Sequence, residues 1–124
     1  TGVVCSLARH HKPAAIILQS PFVSIEEMAH RFLMPSFLVR SPFRSEEALQ
    51  LLKVPLIIFH GDVDTVVPTE HGRRIHAALP ESRFVSQACN HADCPPDMEK
   101  HFEHIADFLK GAGLWYKNSA TISP

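Results

Sequence analysis

The sequence predicts an α/β fold in which about three parallel strands are flanked by helices. Short apolar segments of strand length occur at residues 14–20, 54–59 and 83–86. Segments with apolar residues at helical spacing precede, separate and follow them. This alternation is typical of layer folds with a parallel sheet, because each helix returns the chain to the same edge.

The composition is that of an ordinary globular domain. The 124 residues are enough for one core, and 45% of them are apolar and 20% charged. The net charge of −1 gives no electrostatic footprint for a nucleic-acid partner. No apolar run approaches the length that spans a bilayer. Three cysteines, an odd number without the spacing of a disulfide framework, indicate a reducing compartment. We therefore expect a cytoplasmic protein, with contact to a membrane surface left open.

The first third of the chain contains one predicted strand and one unusual connection. Residues 1–11 have the spacing of a helix, and the strand over 14–20 follows. The next stretch, 22–44, is rich in Met and Phe, but Pro35 and Pro42 exclude a long helix. It is longer than a usual strand-to-helix connection. We interpret it either as a cap with an adaptable apolar pocket or as part of the core.

The central strand leads directly into acidic residues. Residues 54–68 read VPLIIFHGDVDTVVP, an apolar run typical of a strand buried on both faces. Gly61 allows a sharp turn at the end of that strand. Asp62 and Asp64 then emerge at the carboxyl edge of the sheet, where α/β folds place their ligand sites. The alternative is that both are turn-forming residues. A helix over 67–79 follows.

A histidine occupies the equivalent place after the next strand. His91 follows the predicted strand over 83–86, and helical spacing then predicts a last helix over 97–110 and a flexible tail over 111–124. His91 lies 27 residues after Asp64, enough for one helix and one strand, so both tips reach the same sheet edge. A carboxylate that bonds one imidazole nitrogen leaves the other free as a base. The alternative is an ordinary loop histidine.

The segment HGDVDTVVP, residues 60–68, resembles the acid-bearing strand tip of the α/β-hydrolase superfamily. Within that superfamily the chain is more similar to the protein depalmitoylases related to the ABHD17 proteins, and more loosely to the serine aminopeptidase-like hydrolases. The SPFVS segment at 20–24 and the His71–Gly72 pair fit the same pattern. The resemblance covers roughly residues 1–109. It implies a serine hydrolase of ester or thioester bonds, without a cofactor, in which Asp64 is the triad acid and His91 the base.

Two departures from the family pattern affect this interpretation. The approach to the histidine is Ala88-Cys89-Asn90 instead of a glycine-rich segment, and no G-x-S-x-G motif occurs in the sequence. We therefore expect the nucleophilic serine upstream of Thr1. Residues 1–110 would then be the carboxyl-terminal part of one hydrolase domain, acting on a small molecule or an acylated protein. The 124 residues alone would be inactive, because a base and its acid cannot replace a nucleophile.

Two other functions compete with this hypothesis. Cys89, His91 and Cys94 lie close together, and Cys and His are good zinc ligands, although their spacing differs from common zinc motifs. A degenerate hydrolase module that binds a partner would retain the fold and lack the serine. The sequence just upstream of Thr1 discriminates these hypotheses.

Overall fold

The computed structural model describes residues 2–35 and 45–115. These residues form, in chain order, α1 (Gly2–His10), β1 (Ile16–Gln19), α2 (Ile25–Arg31), α3 (Ser45–Leu52), β2 (Leu56–Gly61), α4 (Thr69–Ala78), β3 (Arg83–Gln87) and α5 (Met98–Gly111). The predicted fold class is confirmed, since three parallel strands are flanked by helices. Among the described helices, α2, within the stretch 22–44, was not predicted from the sequence.

The strand β2 is the centre of a three-stranded parallel sheet with the order β1-β2-β3. All six of its residues are buried, whereas β1 alternates between buried and exposed residues and β3 is partly exposed. Such a central position, covered on both faces, is what the continuous apolar run of β2 predicts.

The hydrophobic core lies on one face of this sheet, beneath α1, α3 and α4. Alternate residues of β1 and β2 point into it, and its fully or nearly buried members are Cys5, Ala8, Ile16, Leu18, Val23, Ala48, Leu49, Leu52, Leu56, Ile58 and Ile75. On the opposite face the ring of Phe59 packs on His101 of α5, with 4.2 Å between ring centroids. No residue of α5 is fully buried. The sheet is therefore covered closely on one face and more loosely on the other.

The carboxyl ends of the three strands lie at one edge of the sheet. We call the segment after β2, residues 62–68, the acid loop, and the segment after β3, residues 88–97, the base loop. The two begin side by side, because the backbone N–H of Asp62 donates to the carbonyl of Gln87 at 2.8 Å. A side chain at Gly61 would collide with the backbone carbonyl of Cys89. Glycine at this position therefore allows the two loops to approach closely.

The predicted division of the chain stays a prediction. The helix α5 ends at Gly111, close to the proposed boundary between a domain over 1–110 and a tail over 111–124. Of the proposed cap at 22–44, residues 36–44 lie outside the described residues, as do 116–124 of the tail.

Candidate active site

Asp64 is held by the backbone of its own loop. Its Oδ1 accepts the N–H groups of Val66 at 2.9 Å and Val67 at 2.8 Å. The carboxylate is buried, and the backbone N–H of Asp64 donates to the carbonyl of Gly61 at 3.3 Å. Asp residues favour such turns because the short side chain reaches the peptide groups that follow it. Turn formation, the simpler interpretation of this residue, is therefore part of how the carboxylate is fixed.

The second carboxylate oxygen of Asp64 bonds His91. The distance from His91 Nδ1 to Asp64 Oδ2 is 2.9 Å, and the side chain of His91 is 40% exposed whereas that of Asp64 is fully covered. With Nδ1 as the donor, Nε2 carries a lone pair. None of the described residues hydrogen-bonds Nε2. The structure thus brings together the two residues that the sequence predicted as neighbours.

The pKa of Asp64 lies below its ordinary value of 3.8. Burial acts to raise it, but the hydrogen bonds from His91, Val67 and Val66 together outweigh burial. The hydroxyl of Ser20 adds a smaller stabilisation of the charge, although its Oγ has no partner of ordinary hydrogen-bond geometry in the described residues. Asp64 is therefore a carboxylate near neutral pH, as an orienting acid requires.

A second histidine, His60, lies beneath the acid loop, and sequence reasoning gave it no role. It is the residue before the last one of β2 and is completely buried. Its Nε2 is 2.8 Å from the carbonyl oxygen of Val67 and 3.7 Å from Asp64 Oδ2. The signal that could have identified it is a polar residue on the core-facing side of an otherwise apolar strand, four residues before the acid.

The base loop is fastened to the acid loop by Asn90. Its Oδ1 accepts the N–H of Thr65 at 3.0 Å, the hydroxyl of Thr65 at 3.1 Å and the N–H of His91 at 2.7 Å. The carbonyl of Cys89 accepts the N–H of Val63 at 3.4 Å. Where the family pattern has a glycine-rich segment, this chain has Asn90, and its side chain joins the two loops.

Cys89 and Cys94 form a disulfide around His91. From the number and spacing of the cysteines we expected reduced thiols, and this expectation differs from the structure. The short segment 89–94 brings the two Cα atoms to 5.4 Å, a distance that suits a disulfide. Cys5 of α1 is buried in the hydrophobic core. The disulfide sulfur of Cys94 lies against Gly61, so the bridge packs on the end of β2.

The segment before residue 36 lies beside the acid loop. Arg31 donates to the carbonyl of Thr65 at 2.8 Å, and the N–H of Val23 donates to His71 Nδ1 at 3.2 Å. Burial lowers the pKa of His71, consistent with an accepting nitrogen. After α2 follow the exposed apolar side chains of Phe32, Leu33 and Met34. This part of the predicted cap therefore presents apolar groups near the candidate site.

The other candidate residues play different parts. Asp62 is exposed and accepts the hydroxyl of Ser86, away from His91. The zinc hypothesis is not favoured, because Cys89 and Cys94 are joined to each other and no group of three metal-ligating side chains occurs within the described ranges. His101 of α5 packs on Phe59 and hydrogen-bonds Gln87.

No family model matches the chain. It is 25% identical to the α/β-hydrolase domain-containing protein WAV2 of Arabidopsis thaliana over an alignment of 134 residues, covering 95% of this chain and 41% of that protein. It is 30% identical to the lysophosphatidylserine lipase ABHD12 of Danio rerio over 108 residues, covering 69% of this chain and 28% of that protein. The chain thus spans less than half the length of either relative. No helix among the described residues is long and apolar enough to cross a membrane.

Solved esterases share the fold. The esterase domain of a Rhodothermus marinus protein superposes with a TM-score of 0.67 at 19% identity, covering 89% of this chain and 55% of that one. An esterase of Pyrococcus furiosus superposes with a TM-score of 0.69 at 16% identity, covering 89% of this chain and 50% of that one. The chain therefore has a partial α/β-hydrolase fold.

Proposed function

We propose that the protein expressed from the complete reading frame, called the full-length protein below, is a serine hydrolase of acyl ester or thioester bonds. In this proposal Asp64 is the orienting acid and His91 the general base. The hydrogen bond between His91 Nδ1 and Asp64 Oδ2 is the observation that carries it. It fixes the imidazole so that its partly exposed side can meet a nucleophile.

The reaction follows from this tautomer. His91 Nε2 takes the proton of a serine hydroxyl while that oxygen attacks the substrate carbonyl carbon. The imidazolium then gives the proton to the departing alcohol or thiol, leaving an acyl-serine. Water attacks the acyl group, His91 takes its proton, and the serine recovers a proton as the carboxylic acid leaves. Asp64 stays ionised throughout and stabilises the transient imidazolium.

The nucleophile is proposed to lie upstream of Thr1. The sequence contains no G-x-S-x-G motif. Cys5 and Ser6 lie within α1, away from a strand tip, where a nucleophile elbow would be. In the described residues β1 pairs on one side only, with β2. A further parallel strand beside β1 would end at the sheet edge that carries Asp64 and His91.

An acyl group is the proposed substrate feature. The exposed apolar residues around the site, Phe32, Leu33 and Met34 after α2 with Val63 and Val66 of the acid loop, suit an acyl chain or a membrane surface. The Danio rerio relative is named as a lipase of a lysophospholipid, and the structural neighbours as esterases. These names support acyl esters first, with acyl thioesters, including those of acylated proteins, as the second class.

The test compares the full-length protein with its His91→Ala variant. Both are treated with a fluorophosphonate probe and assayed on p-nitrophenyl esters and an acyl thioester of matched chain length. We expect labelling of one serine in an upstream G-x-S-x-G motif and hydrolysis that the variant lacks. The control is His76→Ala, which should retain activity, because His76 lies on α4 and bonds Ser82 instead of the candidate site residues.

Two results would contradict the proposal. An upstream sequence without a serine elbow, together with a full-length protein that neither labels nor hydrolyses, would favour the partner-binding module. Hydrolysis by residues 1–124 alone would mean that the nucleophile is within the chain, contrary to the assignment upstream.

A further inference from the structure

We infer that the buried His60 is a positioning residue for the proposed acid, because its Nε2–H holds the acid loop closed through the carbonyl of Val67. The inference rests on the proposed function for its catalytic meaning. The groups involved are the imidazole of His60, the peptide groups of Val67 and the carboxylate of Asp64.

Val67 links the histidine to the acid. Its N–H donates to Asp64 Oδ1 at 2.8 Å, and its carbonyl oxygen lies 2.8 Å from His60 Nε2. Val67 is itself buried, and Pro68 after it restricts the φ and ψ of Val67, so its carbonyl and its N–H cannot turn freely relative to each other. Movement of this carbonyl would therefore carry the Val67 amide with it. His60 holds that amide in place and, through it, the carboxylate oxygen.

The surroundings of the ring select one tautomer. His60 Nδ1 has no hydrogen-bond partner among the described residues, and it lies against Gly72 of α4. A proton on Nδ1 would be buried without an acceptor, while Nε2 would face a carbonyl oxygen with its lone pair. A proton on Nε2 satisfies the Val67 carbonyl instead. The tautomer with its proton on Nε2 is thus the one that the site accommodates.

An apolar side chain would fill the same space without leaving a buried nitrogen unbonded. A buried polar atom without a partner is unfavourable, so its presence indicates that the other nitrogen has a use. That use is local, since Nε2 also lies 3.7 Å from Asp64 Oδ2, the oxygen that bonds His91. The other titratable group near the ring is His71 on α4.

The experiment uses two amide variants of the full-length protein. In His60→Gln the amide nitrogen is as many bonds from Cα as Nε2 is, so it can reach the Val67 carbonyl. In His60→Asn the nitrogen matches Nδ1 and cannot. We expect kcat for a p-nitrophenyl ester to fall on the order of 10- to 100-fold in the Asn variant, since a misplaced catalytic group has effects of that size. KM should change less than about twofold, and the Gln variant should recover most of kcat.

A spectroscopic measurement keeps the inference testable if the Asn variant does not fold. In wild-type protein, ¹⁵N-edited NMR of the His60 ring should show a proton on Nε2 and none on Nδ1. A proton on Nδ1, or equal kcat in the Asn and wild-type proteins, would overturn the inference. These failures differ from failure of the proposed function, in which wild-type protein itself neither labels with fluorophosphonate nor hydrolyses esters.

Discussion

Within the acid loop, the carboxylate of Asp64 is held by peptide groups close to it in sequence, whereas the base loop is tied by its side chain Asn90 and its backbone to a segment distant in sequence. Asp64 bonds the amides of Val66 and Val67, two and three residues ahead of it. His60, which supports Val67, lies seven residues before it in the strand that leads into the loop. The bonds of Asp64 Oδ1, together with their support from His60, therefore lie within one continuous segment, residues 60–67.

The base loop has a different kind of support. Asn90 reaches Thr65, 25 residues away in sequence, and the carbonyl of Cys89 accepts the N–H of Val63. The disulfide between Cys89 and Cys94 then closes the segment around His91. The position of the base thus depends on the acid loop as well as on the disulfide within its own segment.

This difference means that the position of His91 depends on the acid loop, whereas the carboxylate of Asp64 is held by the backbone of its own loop. Changes in the acid loop should alter both partners of the Asp64–His91 pair. Changes in the base loop should loosen His91 while leaving the carboxylate in its backbone bonds. Single substitutions in and around the two loops separate these effects.

Replacing Asp64 with Asn should give the largest loss. The amide cannot stabilise an imidazolium and favours the wrong tautomer of His91, so we expect kcat of the full-length protein to fall about 10⁴-fold. The measurement is steady-state hydrolysis of a p-nitrophenyl ester, with circular dichroism to check folding.

Asp62→Asn is the matched control for that change. Asp62 is the other acidic residue of the same loop, is exposed and bonds Ser86 instead of a histidine. It should keep kcat within about threefold of wild type, because surface substitutions of this kind rarely alter a fold. Equal losses in the two variants would argue against a special role for Asp64.

Gly72→Ala should lower the stability of the protein by crowding the ring of His60, which supports the acid loop. A Cβ at this position would lie 2.5 Å from His60 Nδ1 and 3.1 Å from Phe84, so the ring or the helix must shift. Overpacking of this kind is expected to lower the free energy of unfolding by about 1–3 kcal/mol. Urea denaturation of the full-length protein measures it.

Gly111→Ala provides the comparison for the same chemical change. Gly111 is also helical, but a Cβ there meets nothing within 4 Å. Alanine should leave stability unchanged or raise it by up to about 1 kcal/mol, because it favours the helix. Similar destabilisation of both variants would show that helix propensity, not the crowding against His60, decides the result.

The sequence was sufficient for the parts of the site that depend on local chemistry. The apolar run of β2 and the turn-forming Asp64 define the strand and its tip from adjacent residues alone. One further rule, that parallel strands joined by a helix end at the same edge of the sheet, was enough to predict from their spacing that Asp64 and His91 are neighbours. For this reason the pairing could be predicted without knowing any side-chain contact.

The remaining features depend on three-dimensional neighbours that spacing does not encode. The bond from Asn90 to Thr65 exists only because two loops meet, and an odd number of cysteines gave no indication that Cys89 and Cys94 pair. The role of His60 depends on Gly72 leaving room for its ring. Each of these follows from packing between elements, which composition and periodicity leave undetermined.

Loss of the disulfide in the base loop should lower the free energy of unfolding by a moderate amount. Cys94→Ser opens a closed segment of only six residues, for which chain entropy predicts a loss of about 2 kcal/mol in the free energy of unfolding. A dithiol reductant, which converts the bridge to two thiols with two electrons and two protons, should reproduce this loss in the wild type. It should have no further effect on the variant. A wild-type protein insensitive to the reductant would contradict the prediction.

The smallest effect should be the dependence of stability on acid pH. Because the pKa of folded Asp64 lies below 3.8, its ionised form adds stability that is complete above that pH and is lost as pH falls through the lower folded value. The effect is small because burial opposes the hydrogen bonds that lower the pKa. Urea unfolding of wild type and Asp64→Asn between pH 7 and about pH 3 measures it, since shared carboxylates cancel in the difference. The stability advantage of wild type should narrow only at the acid end. A constant difference across this range would mean that the hydrogen bonds from His91, Val67 and Val66 do not favour the charged carboxylate, and that its support is steric.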